Sequence, residues 1–306
     1  MTRPMPTTRG AGILLALVTA TISGVAVFVN ADAVRSFGDA TAYTTAKNVV
    51  AALVLLALIG AGTRTGARLT RPRTRGQWAG LAAIGVFGGS VPFVLFFEGL
   101  SRASSAQAAF LHKTLLVWLA VLAVVFLGEL LSGVHLLAIG LLVVGQIGLM
   151  GGVSGFGLPE AMILAATVMW SVEVVVAKRL LAGVSSWTVG VARMGLGSLA
   201  LLVWVTVRGD LGLLTSMTAT QAGWVLLTGV LLAGYVATWF AALQRAPAVD
   251  VTAVLVLAAP LTAGLNALAN GVPLSPQLDW LAVLLAGGAL AVWAGSRSRP
   301  VPVAAA

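Results

Sequence analysis

Ten long apolar runs leave this chain few ways to fold. They lie near residues 11–30, 41–62, 77–99, 104–127, 133–151, 158–180, 186–207, 219–243, 249–269 and 278–295. Each is about 18–25 residues, and at about 1.5 Å of rise per residue such a helix crosses a hydrocarbon core of roughly 30 Å. The runs do not alternate polar with apolar, which argues against a β-barrel. The expected fold is all-α and polytopic, with ten transmembrane helices.

Composition agrees. Hydrophobic residues make up 59% of the chain and charged ones 9%, and the mean hydropathy is +1.03. A soluble domain carries roughly 25% charged residues, so lipid is the solvent that suits this chain. There is no cysteine, which excludes disulfides, thiolate catalysis and cysteine metal sites. Two histidines, His112 and His135, are too few for a histidine-rich metal centre. Neither metal nor cofactor is expected. No P-loop, metal-ligand spacing or nucleophile elbow appears, so neither ATP-driven pumping nor an enzyme is expected.

The net charge of +9 does not point to nucleic acid. Most basic residues sit in short loops, where they set topology. Arg3 and Arg9 precede a first run that is long enough to span and lacks a cleavage site of the usual spacing, so it reads as a retained helix. With the N-terminus in the cytoplasm, twelve basic residues fall inside: Arg3, Arg9, Arg64, Arg68, Arg71, Arg73, Arg75, Lys178, Arg179, Arg245, Arg297 and Arg299. Three fall outside, Arg35, Arg102 and Arg208, and Lys47, Lys113 and Arg193 lie within spans. That bias predicts an inner-membrane protein with both termini cytoplasmic.

The second half repeats the first. Ala46-Lys47 through Leu53 aligns with Ala192-Arg193 through Leu199 at an offset of 146, and Trp78 meets Trp224 at the same offset. At an offset of 143, Leu100-Ser101-Arg102-Ala103 meets Leu243-Gln244-Arg245-Ala246, Gly128 meets Gly271, Leu131 meets Leu274, Ser132 meets Ser275 and Gly145 meets Gly288. The two units run over 11–151 and 158–295. Five helices is an odd number, so the copies are inverted, an arrangement that serves alternating access with a site between the halves. Gly80, Gly85, Gly88 and Gly89 in the third run, and Gly229 and Gly234 in the eighth, suit close helix packing.

Several residues resemble the drug/metabolite transporter superfamily, in its EamA-type ten-helix branch. Leu127-Gly128-Glu129 followed by Gly140 resembles that family's motif at the end of helix four. Ala241-Ala242-Leu243 with Ala246-Pro247-Ala248 resembles its turn before helix nine, Pro260 its proline in helix nine and Arg193 its arginine in helix seven. The resemblance covers residues 11–295. It implies a secondary transporter, an exporter of a small metabolite such as an amino acid, driven by the proton gradient or by the substrate's own gradient. It also implies a central cavity approached by helices one, three, four, six, eight and nine. Val117 stands where Pro260 would repeat, Val272 where Glu129 would repeat, and Lys47 replaces an arginine.

An ionisable residue at the centre of a span costs roughly 2.5–3.5 kcal/mol on insertion scales. Lys47, Glu98, Lys113, Glu173 and Arg193 therefore need a cavity or a partner, with His112 beside Lys113. Glu98 is expected to pair with Lys113 or His112 across a short turn, either as a substrate or proton site or as a structural lock. Glu173, one turn from Trp170, offers a carboxylate and an indole on one helix face, suited to a proton or an ammonium group; the alternative is a structural pair with Arg193 or Lys178. Lys47 and Arg193 read as snorkelling or paired near helix ends, and Glu129 as a structural residue at the cytoplasmic edge. Trp170, Trp118, Trp224, Trp239 and Tyr235 are aromatic candidates for a cavity lining. The rival to a small-solute carrier is a lipid or polyprenyl-carrier translocase with a lateral opening; the expected partners are a small solute, membrane lipid and coupling protons.

Overall fold

The computed structural model describes residues 9–62, 66–100, 102–103, 105–150, 155–271, 274 and 277–297. Nothing but helix and connecting loop occurs among them. Among the described residues nine helices are long and apolar enough to cross a membrane: Arg9–Phe37, Ala40–Gly60, Arg75–Leu100, Phe110–Leu127, Leu158–Leu180, Ser186–Val207, Ala219–Arg245, Ala248–Asn270 and Leu278–Ser296. A shorter apolar helix, Gly133–Leu149, follows the fourth and packs along the last. Counting it as the fifth gives ten spans in chain order.

Local chemistry starts and stops these helices where the chain must turn. The Asp39 carboxylate accepts the Ala42 N–H at 2.7 Å and caps span two. Thr74 with Gln77 and Thr218 with Gln221 form reciprocal capping boxes at the starts of spans three and eight. Spans four and nine both end on a left-handed glycine, Gly128 (φ 64°) and Gly271 (φ 65°), a conformation that a side chain disfavours.

Span one packs on span eight and span six on span three, while span two packs on seven and span five on ten. Exchanging spans one to five for six to ten maps this set of pairs onto itself. The turns also separate into two ends. Ser185 Oγ donates to Arg68 O at 2.8 Å, and Glu129 accepts the N–H of Ala248 at 2.6 Å, so these turns share one end with Arg9. Arg208 reaches Glu98 at 3.1 Å and Asp39 at 3.5 Å at the other. The Leu100 turn thus lies at the Arg208 end and its counterpart after Leu243 at the Arg9 end. The two copies are upside down relative to each other.

Glycines set the closest approaches. A Cβ added at Gly85 would fall 2.4 Å from the Leu196 side chain, and one at Gly229 would fall 2.5 Å from the Val50 side chain. These are repeat-related contacts: span three on seven, and span eight on two. Deeper in the first interface, backbone touches backbone, since a Cβ at Gly89 would lie 2.1 Å from the Arg193 carbonyl oxygen. Span three makes room here through a π turn, Ile84–Gly88.

Two spans are broken at equivalent places. Span four runs as Ser105–Lys113 and Leu115–Leu127 about Thr114. Span nine runs as Ala248–Leu255 and Ala258–Asn270, with Leu257 at its break. In span nine Pro260 has no N–H to offer Val256, and the Ala259 N–H bonds the Val256 oxygen instead at 3.0 Å. Span four breaks without a proline: the Thr114 hydroxyl donates to Leu111 O at 2.6 Å, and Val117 occupies the place of Pro260.

Candidate functional site

Arg193 on span seven and Glu173 on span six form a buried bidentate pair, with Nε to Oε1 at 2.6 Å and Nη2 to Oε2 at 3.3 Å. Glu173 is 5% exposed and Arg193 8%. Gly88 makes the pair possible, because a Cβ there would lie 2.2 Å from Glu173 Cδ. The Arg193 guanidinium also lies 5.5 Å over the Phe93 ring. Of the two readings of Glu173, this is the structural pair with Arg193 and not a carboxylate open to a cavity beside Trp170. At this depth a guanidinium supplies both the countercharge and two hydrogen bonds that water would otherwise provide. Trp170 is engaged too, donating its indole N–H to Gly88 O at 3.0 Å.

Lys47 is the counterpart of Arg193 in the first repeat, and it is 5% exposed. It neither snorkels nor pairs with a carboxylate, contrary to expectation. All nine Asp and Glu side chains lie in described residues, and Lys47 forms an ion pair with none of them. Its ammonium donates to Asn30 Oδ1 at 3.4 Å and sits 4.9 Å from the Tyr43 ring and 5.3 Å from the Phe97 ring. The Tyr43 hydroxyl donates to the same Asn30 oxygen. Wrapping in rings and an amide keeps this cation from lipid.

Between the two cations lies a cluster of rings. Phe97 meets Phe96 at 5.3 Å and Phe93 at 6.4 Å. Trp170 meets Phe93, Phe96 and His112 at 5.3, 5.6 and 5.1 Å. His112 presents a buried Nδ1 without a hydrogen-bond partner among the described residues. Lys113 turns away from this cluster. With Phe110, Thr114, Val117, Gln146 and Val256 it lines a crevice of about 30 Å³ beside the break of span four.

Glu98 does not meet Lys113 or His112. It stands at the Arg208 end and bonds Arg102 at 3.1 Å and Arg208 at 3.1 Å, while Arg208 also holds Asp39 at 3.5 Å and Asp210 at 2.8 Å. Arg102 is one turn further along the chain, and Arg208 arrives from the end of span seven. At the Arg9 end, Glu129 caps span nine by accepting the N–H groups of Ala248 and Val249 at 2.6 and 3.1 Å. Burial raises its carboxyl above the ordinary 4.5, against the pull of those N–H groups and Lys178. Asp250 receives Arg9 and, at 3.1 Å, His135, and Lys178 bonds the Ala246 carbonyl at 2.6 Å.

Trp239 is buried and stacks on Tyr235 at 6.0 Å, whereas Trp118 is exposed. No group of three or more His, Asp or Glu side chains placed to hold a metal occurs among the described residues. Asn30, Tyr43 and Asp250 were not singled out from the sequence. Asn30 had one signal, a polar side chain inside an apolar run one helix before a buried cation, as Glu173 is before Arg193. Arg3, Arg64, Ser101, Val272, Ser275 and Arg299 lie outside the described residues.

The comparisons fit this architecture. A solved crystal structure, described only as that of a protein, is similar to this chain with a TM-score of 0.75 and 21% identity, over 93% of this chain and 99% of the other. That likeness shows the fold. No curated protein matches. The model of the EamA-like transporter family matches twice, over residues 10–151 and 158–294, one match to each five-span unit. With both inverted units matched, the chain belongs to the EamA-like transporter family.

Proposed function

We propose that the protein is a secondary transporter that exports a small metabolite, such as an amino acid or a related compound, by alternating access. The observation that carries this reading is the convergence of Lys47, His112, Glu173 and Arg193, from four spans, on the rings of Phe93, Phe96, Phe97 and Trp170. Charges at this depth mark a solute or ion path, and ring faces with a few polar groups suit a small organic solute. Charged contacts tie the spans together at both ends, as expected of a carrier that opens one end at a time. The twelve-to-three distribution of basic residues supports a cytoplasmic Arg9 end and an inner-membrane location. Protons are the proposed coupling ion.

Purified protein in liposomes should take up labelled amino acids or close analogues, faster with a pH gradient than without. Flipping of fluorescent lipid without any uptake of small solutes would favour the translocase reading instead. Single cysteines at Arg68 and Gly155, placed in this cysteine-free chain, should react from opposite sides. Reaction at position 68 in intact cells would overturn the orientation.

A further inference from the structure

The same position in the two repeats carries a buried cation, but among the described residues only one of them has a countercharge. In the second repeat Arg193 is neutralised by Glu173, which lies 20 residues earlier on the first helix of that repeat. In the first repeat Lys47 faces Asn30, which lies 17 residues earlier on the first helix of its own repeat. An amide oxygen can accept a hydrogen bond but supplies no charge. A lone buried ammonium is costly unless something neutralises it.

We infer that Lys47, with Asn30 and Tyr43, is the subsite for the carboxylate of the transported solute. The inference rests on the transporter reading and names the chemical class that this end of the site takes. The solute's carboxylate supplies to Lys47 what Glu173 supplies permanently to Arg193. The ammonium donates a charge-assisted hydrogen bond to it, and the Tyr43 hydroxyl, now given to Asn30, can turn to the arriving anion. The Phe97 ring, 5.3 Å from the ammonium, leads from this point into the ring cluster, so the apolar part of the solute lies on Phe96, Phe97 and Trp170. Arg193 takes no part, since Glu173 already satisfies it.

The test uses the whole purified protein and matched probes: L-phenylalanine and L-leucine, their methyl esters, and phenethylamine and isoamylamine, which lack the carboxylate. The free amino acids should raise the unfolding temperature and compete for uptake, and the esters and amines should do so at least about tenfold less well, the scale of one charged hydrogen bond. Asn30→Asp places a permanent carboxylate beside Lys47, as Glu173 stands beside Arg193. It should fold at least as stably as wild type and lose the response to free amino acids. Lys47→Met removes the charge while keeping apolar bulk, and should lose the preference for acid over ester. Uptake of amines or esters equal to that of the acids, or full amino-acid binding by Asn30→Asp, would overturn the inference and leave the transporter reading standing. Wild type that neither carries nor is stabilised by any probe would overturn the inference, while the broader reading would be judged on other solutes in the liposome assay.

Discussion

At the Arg9 end, the carboxylates that join the spans are buried: Asp250 is 2% exposed and Glu129 9%. At the Arg208 end the side chains of Arg208, Asp39, Glu98 and Asp210 keep 31, 26, 27 and 30% of their surface. Both ends use carboxylates and arginines, yet their energetics differ. Removing one member of a buried pair leaves an uncompensated charge in a poor solvent. Removing one member of a water-exposed pair leaves a charge that water solvates, so such pairs contribute about 0–1 kcal/mol each. The Arg9 end also spends its charges on backbone, since Glu129 caps span nine and Lys178 holds the turn before it. The Arg208 end is therefore the weaker seal.

The largest effect expected is that of Asp250→Ala, which takes from Arg9 and His135 the buried carboxylate they share. It should lower stability by about 3 kcal/mol, read as a fall in the unfolding temperature of the purified protein, and an unchanged temperature would break the contrast. Glu129→Ala leaves the N–H groups of Ala248 and Val249 without their cap and should cost about 1–2 kcal/mol, by the same measurement. Arg208→Ala should cost less than about 1 kcal/mol but speed the reaction of a cysteine at Thr44, a buried site one turn into span two, with an aqueous maleimide. Raising ionic strength, which weakens exposed ion pairs far more than buried ones, should speed that reaction in the same direction and leave the Asp250→Ala deficit unchanged. The smallest effect belongs to Arg102→Ala, about 0.3–0.5 kcal/mol for a one-turn helix pair. A loss as large as that of Asp250→Ala would show the two ends to be alike.

Much of this was legible in the sequence where it depends on distance along the chain. Span lengths, the two offsets, the paired glycines Gly128 and Gly271 and the paired cations Lys47 and Arg193 are all linear features. Gly85 and Gly229 were readable as packing glycines for the same reason. What depends on rotation about a helix axis was not readable. Residue spacing places Glu173 one turn from Trp170, but the partner is chosen by which side of span six meets Arg193, and Gly88 decides that from another span. Glu98 looked close to Lys113 by sequence, yet Lys113 lines the crevice beside the break of span four and Glu98 pairs with Arg208, 110 residues away. Lys47 resembled a residue near a helix end because its depth was visible while the rings around it were not.

The glycine contact between spans three and seven has a mechanical consequence. A Cβ at Gly197 would lie 2.6 Å from Gly89 O, so the two five-span units meet there backbone to backbone, with no side chain to compress. Bodies touching at such a hard point tilt more readily than they approach, as a lever does on its fulcrum. A tilt that parts the spans on one side of this point presses them together on the other. A small tilt about Gly89 would therefore displace the Arg9 and Arg208 ends in opposite senses.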